Sequence, residues 1–194
     1  MDSNFTSCLN FTLLPDDDGQ ALHTDTGGAT SWGVTRATWS RWIGHSASVE
    51  EMSAVTDDQV APLYRAWYWT TISCDQMPVG VDLMVFDMGV TCGEHSAACQ
   101  LQQVLQFSDH EVDGDVGPNT LQRLRSLDTL SVIELIGYRQ KAYYKSCQTF
   151  PINGRGWFAR VDRRVAAAKA MALAPAPLDV VQAAIVKAVT APEV

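Results

Sequence analysis

The sequence predicts an all-α fold, on three observations. Apolar side chains recur at helical spacing over most of the chain, start and stop signals bracket several of those runs, and a 46% hydrophobic, 19% charged composition over 194 residues supplies a sizeable core. Phe5, Cys8, Leu9, Phe11 and Leu13 share a face of a first helix that Pro15 ends. Residues 16–33, rich in Asp, Gly and Thr, read as a loop or short irregular hairpin. Thr56-Asp57-Asp58-Gln59 is a helix start, with Thr56 as N-cap and acidic groups in the first turn; Val60, Leu63, Tyr64, Trp67 and Tyr68 continue it. Pro78 opens another helix with Val81, Met84, Val85 and Met88 on its apolar side, and residues 89–93, bounded by two glycines, are expected to break it. Helices follow over 96–107, 119–127, 128–147 and 156–173. Asp113-Gly114-Asp115-Val116-Gly117-Pro118 reads as a turn, since it lacks the length and closing Glu of a calcium loop. Ala174-Pro175-Ala176-Pro177 is a linker, and Val181, Ile185 and Val189 suit a short amphipathic tail helix.

Composition excludes several classes. No stretch approaches the roughly 20 apolar residues of a membrane span, and Met1-Asp2-Ser3-Asn4-Phe5 lacks the basic and apolar regions of a secretory signal. Synthesis in the cytoplasm is therefore expected, with delivery by another agent if the substrate lies outside. The five cysteines, Cys8, Cys74, Cys92, Cys99 and Cys147, are odd in number and form no disulfide framework; free thiols are expected. Cys92, His95 and Cys99 fit no standard zinc spacing, so no metal site is expected there. The net charge of −8 is divided unevenly. Residues 1–118 hold three basic side chains against seventeen acidic, and residues 119–194 eleven against five. The acidic front argues against nucleic acid; the basic rear suits either an anionic polymer or a solvated helix face.

The loop over residues 16–33 is the most informative segment for function. Hydrolysis of a glycosidic bond needs one carboxylic acid to protonate the leaving oxygen and a second carboxylate to activate water or stabilise the cation. Asp16 and Asp25 stand nine positions apart, and Thr30 and Ser31 add hydroxyls shortly after. A loop returning from a helix end can set two carboxylates across a cleft, although Asp-rich glycine loops are more often plain turns.

This stretch resembles the N-terminal motif of glycoside hydrolase family 108, the N-acetylmuramidases also labelled secretion-activating proteins. Phe5 and Leu9 match the family's first helix, and Gly27-Gly28-Ala29-Thr30-Ser31-Trp32-Gly33-Val34-Thr35 matches its G-G-x-T-x-x-G-I-T run without a gap. The spacing also resembles the Glu, Asp, Thr triad of phage-type lysozymes. Counting back from Gly27, the family's catalytic Glu falls on Asp16, whose carboxyl reaches about 1.5 Å less far. Leu63-Tyr64-Arg65-Ala66-Trp67-Tyr68-Trp69 resembles a Y-R-x-x-Y-W helix, and residues 77–90 a P-x-G-v-d-l-x-v-F-D segment. In phage lysozymes a similar helix lines the cleft, which makes Asp87 either a substrate contact or a buried bridge; the Asn that follows in the family is Thr91 here. Leu101-Gln102-Gln103-Val104-Leu105 and residues 112–121 resemble a peptidoglycan-binding module with its D-G-x-x-G-P-x-T-L signature, and residues 154–161 a closing G-W-x-x-R-v.

The resemblance covers residues 5–172 and implies a lysozyme-like fold of the phage-type superfamily with a helical C-terminal subdomain. The expected division is 1–107 catalytic, 108–173 peptidoglycan-binding-like, and 174–194 linker and tail. It implies cleavage of the β-1,4 bond between N-acetylmuramic acid and N-acetylglucosamine, with Asp16 as general acid, Asp25 and Thr30 positioning or activating water, and Ser31 and Asp87 touching substrate. No cofactor is implied. The expected partner is the peptidoglycan glycan strand, met in the periplasm or on the cell wall by a monomer. A wall-binding protein without catalysis and an export-facilitating muramidase are the alternatives.

Overall fold

A computed structural model describes residues 3–14 and 30–174. The expected tail helix and most of the expected linker lie outside the described residues. The chain forms α1 (Ser3–Thr12), a two-stranded hairpin of β1 (Thr30–Ser31) and β2 (Val34–Thr35), then α2 (Arg36–Ile43), α3 (Val49–Ser53), α4 (Asp57–Tyr64), α5 (Val81–Cys92), α6 (Glu94–Val104), α7 (Pro118–Arg125), α8 (Thr129–Ser146) and α9 (Phe150–Leu173).

The organising element is α5. Every residue from Val81 to Gly89 is buried, which marks a helix covered all round rather than on one face. α1, α6, α8 and α9 all pack against it. Phe5 of α1 meets Trp69 edge-on at 5.3 Å and Phe86 of α5 at 6.0 Å, while Trp69 and Phe86 lie 5.4 Å apart. This aromatic triangle ties the first helix to the centre. One apolar cluster runs from Phe5 through Val116, Leu121 and Ile133 to Ala168, so the core continues across residue 107.

Several elements depart from the sequence expectation for identifiable reasons. The helix expected to break at residue 89 runs on to Cys92, and Gly93, with φ +86, ends it. Gly89 stays helical because its missing side chain admits Ile72, whose Cδ1 would stand 3.2 Å from an added Cβ. α9 starts at Phe150 rather than 156, with Pro151 in its first turn, where a missing N–H costs nothing. Gly154 is tolerated inside it because the Phe150 ring occupies the space a Cβ would fill. The segment read as one helix after Thr56 is α4 followed by a π-helical turn over Arg65–Trp69, closed by Thr70 N–H donating to the Arg65 carbonyl at 2.9 Å. The helix expected to reach 107 stops at Val104, and Gln106 takes a positive φ of 60°.

Gly80, just ahead of α5, lies close against the backbone of α9. Its φ is +90°, and a Cβ there would meet the Ala168 carbonyl oxygen of α9 at 2.4 Å. Gly80→Ala is expected to cost roughly 3 kcal/mol or more, because left-handed strain and overpacking act together. Gly93→Ala has nothing within 4 Å at φ +86 and should cost about 1–2 kcal/mol. Urea unfolding of the two variants measures the difference.

Candidate active site

Of the residues singled out from sequence, Asp16 and Asp25 lie outside the described residues. Thr30 and Ser31 form β1, with Thr30 opposite Thr35 and Ser31 opposite Val34. Both are half-buried. Trp32 and Gly33 make the turn, at φ 51° and 74°, the positive pair a two-residue type I′ hairpin requires. Glycine takes this conformation freely; tryptophan does not, so something must hold it. Its indole N–H donates to the Val55 carbonyl at 2.9 Å, and its own carbonyl accepts from the Tyr64 hydroxyl at 2.9 Å. The hairpin is thus pinned to the α3–α4 junction and to the last residue of α4. Trp32 nevertheless remains 41% exposed, an aromatic surface directly beside Thr30 and Ser31. Sequence reasoning passed over it; the signal was a bulky aromatic followed by glycine in a two-residue turn.

Behind the hairpin lies a charged cluster. Asp87, weighed from sequence as sugar contact or buried bridge, is the bridge: it has no exposed surface. Arg160 grips it with two donors, Nη2 to Oδ1 at 2.6 Å and Nε to Oδ2 at 3.2 Å, and Arg164 Nη1 reaches Oδ2 at 2.7 Å. Burial alone would raise the Asp87 pKa, but the guanidiniums of Arg164 and Arg160 outweigh it and hold the carboxyl below the usual range. Arg160 Nη2 also donates to the Thr12 carbonyl at 3.0 Å, satisfying an orphan acceptor at the end of α1. One carboxylate therefore locks together α5, α9 and the end of the helix from which the Asp16 loop departs. Arg160 entered the sequence reading only as the arginine of the closing G-W-x-x-R-v motif, without a partner, and Arg164 did not enter it; a pair of arginines four apart in a helix carrying apolar residues, with an Asp inside an apolar helix elsewhere, was the available sign.

Tyr64 sits between the two features. Burial pushes its phenol well up, Tyr68 and Asp87 add to the rise, and Arg160 opposes it. It stays a neutral hydrogen-bond donor to the hairpin throughout the physiological range.

The remaining candidates resolve into structure. Cys92 Sγ contacts the Tyr144 hydroxyl at 3.6 Å, while Cys99 Sγ lies 3.6 Å from His95 Nε2, so the two thiols have separate partners. Burial raises the thiol pKa of Cys8 and of Cys74 far above the usual value, which leaves them unreactive packing groups. In the turn over 113–118, buried Gln102 donates to Asp113 Oδ1 at 2.6 Å and the Asp115 carbonyl at 3.0 Å, and accepts from Gly114 N–H at 2.9 Å. The polar part of the D-G-x-x-G-P signature is spent on shaping that turn.

A comparison with family models matches residues 17–93 to "Glycosyl hydrolase 108". The matched segment begins one residue after Asp16 and contains Asp25, Thr30, Ser31 and Asp87. A solved structure, that of Brucella abortus SagA, is 31% identical with a TM-score of 0.79, covering 91% of this chain and 100% of that one. The chain belongs to glycosyl hydrolase family 108. No curated protein matches it. Membership in family 108 makes the chain a glycoside hydrolase of the peptidoglycan-cleaving kind, with an all-α, lysozyme-like fold. The family match covers α2–α5 and the hairpin, while the likeness to SagA extends over most of the chain.

Proposed function

We propose that the protein is an N-acetylmuramidase, hydrolysing the β-1,4 bond between N-acetylmuramic acid and N-acetylglucosamine in peptidoglycan. The observation that carries this reading is the family match over residues 17–93, which takes in the whole Gly27–Thr35 motif. Asp16 protonates the leaving oxygen, while Asp25 and Thr30 hold the attacking water on the opposite face of the sugar. Ser31 contacts the substrate on the same strand. Attack from the opposite face inverts the anomeric centre and needs carboxyls about 6.5–9.5 Å apart. Trp32, exposed and strained beside Thr30, supports the reading as a surface for a sugar ring. The enzyme needs no cofactor and acts as a monomer on the glycan strand, in the periplasm or at the cell wall, in the manner of an endolysin; residues 108–173 add wall affinity.

One observation favours a second reading. Asp16 stands where the family carries Glu, and a shorter acid at that position is what a wall-binding protein that has lost turnover would show. Digestion of purified sacculi, borohydride reduction and mass spectrometry separate the two. Muramidase action yields reduced N-acetylmuramic acid ends. Reduced N-acetylglucosamine ends would mean the other bond is cut, and no new ends would leave the binding reading.

A further inference from the structure

The acidic front half contains only three basic side chains, Arg36, Arg41 and Arg65. Two of them, with His45, line a single concavity of about 590 Å³ along α2. Both guanidiniums are exposed, and neither is in an ion pair among the described residues, although residues 1–118 hold seventeen carboxylates. Arg36 stands in the first turn of α2, where the helix dipole disfavours a cation and no acidic residue compensates. Local helix energetics do not explain it. Arg41 is held in place by the Trp67 ring, 4.3 Å from its centroid, an attraction that fixes the group without neutralising it. Ser40 lies between them with its hydroxyl committed to the Arg36 carbonyl at 2.7 Å, and His45 at the far end is engaged by Glu51 at 3.3 Å. The free positive charge of the concavity is therefore the arginine pair.

Its position gives the charge a use. Arg36 follows Thr35, the strand partner of Thr30, so the concavity begins one residue from the hairpin. A glycan seated at Thr30 and Ser31 carries anions of one kind, the carboxylates of its lactyl groups and peptide stems. We infer that the α2 concavity is a carboxylate-binding site for the peptide stems of the glycan strand, with Arg36 and Arg41 as its recognition groups. The inference rests on the muramidase reading for its choice of anion.

The test measures binding of soluble disaccharide-peptide fragments of peptidoglycan, native or with their carboxyls converted to carboxamides, alongside hydrolysis of intact sacculi. The full chain is compared with Arg36→Gln and with Arg36→Gln/Arg41→Gln. Wild type should prefer the native fragment by roughly threefold to thirtyfold, the range two exposed charge pairs allow. The double variant should lose that preference, Arg36→Gln alone should lose part of it without disturbing the Trp67 contact, and salt should erase it in wild type. Equal binding of native fragment by wild type and double variant overturns the site, as does an equal loss on the carboxamide fragment. Preference for native fragment without hydrolysis keeps the site and removes the muramidase reading; hydrolysis without preference does the reverse.

Discussion

Asp87→Ala is expected to destabilise the protein by about 3–5 kcal/mol, the cost of removing one member of a buried charge cluster. The reason is what remains. Arg164 has no exposed surface, and its Nε and Nη2 hydrogen-bond to nothing among the described residues, so Asp87 is the anion that compensates its charge. Arg160 would keep its bond to the Thr12 carbonyl but lose its two bonds to Asp87. A Tm lower by roughly 10 °C follows for a chain of this size. A loss within 0.5 kcal/mol, typical of surface substitutions, would contradict the role assigned to the cluster. Because the groups act as a unit, Asp87→Ala/Arg164→Ala should cost clearly less than the sum of the two single changes.

The same carboxylate makes stability sensitive to acid. Its folded pKa is depressed, so its contribution is complete above the unfolded value near 4 and is lost as pH falls through the folded value. Asp82 works the other way. Burial raises its pKa despite hydrogen bonds from Asn4, Leu83 N–H and Gly80 N–H, so protonation there favours the folded state. The acid dependence belonging to Asp87 is accordingly the difference between wild type and Asp87→Ala, and wild type should lose stability more steeply below pH 4.

How much of this was legible in the sequence differs between fold and site. The helix start at Thr56 was readable because its cap is local: Gln59 Oε1 accepts from the Thr56 N–H at 2.9 Å, three residues apart. The apolar side of α5 was readable from Val81, Met84, Val85 and Met88, but its burial on every side depends on α1, α6, α8 and α9 arriving from distant parts of the chain. α2 and α3 went unread although their signals were present. Thr35 caps the first through Thr38 N–H, Gly44 closes it at φ 81°, and Ser48 with Glu51 forms a reciprocal box on the second. These helices have eight and five residues, too short for apolar periodicity to stand out. The partners of Asp87 lie 73 and 77 positions away, and no local pattern encodes such a pairing. They also change the meaning of the basic rear, since two of its eleven cations face inward to Asp87.

Asp16→Ala is the second change with a large expected effect. A positioned general acid contributes roughly 10²–10⁴-fold, so kcat on peptidoglycan should fall by that factor while affinity for sacculi and Tm stay near wild type. Arg160, gripped by Asp87, donates to the Thr12 carbonyl four residues before Asp16, so the end of α1 is a fixed point from which the chain leaves toward that residue. Catalytic geometry tolerates little error, and a displacement of about 1 Å can cost 10²-fold. Asp16→Glu, which restores the longer side chain of the family motif, supplies a comparison on the same backbone. The most direct measurement is the rate at which purified sacculi release new reducing ends with wild type, Asp16→Ala and Asp16→Glu. A general acid at Asp16 predicts ready release by wild type, near-background release by Asp16→Ala and measurable release by Asp16→Glu. Undiminished release by Asp16→Ala would contradict it.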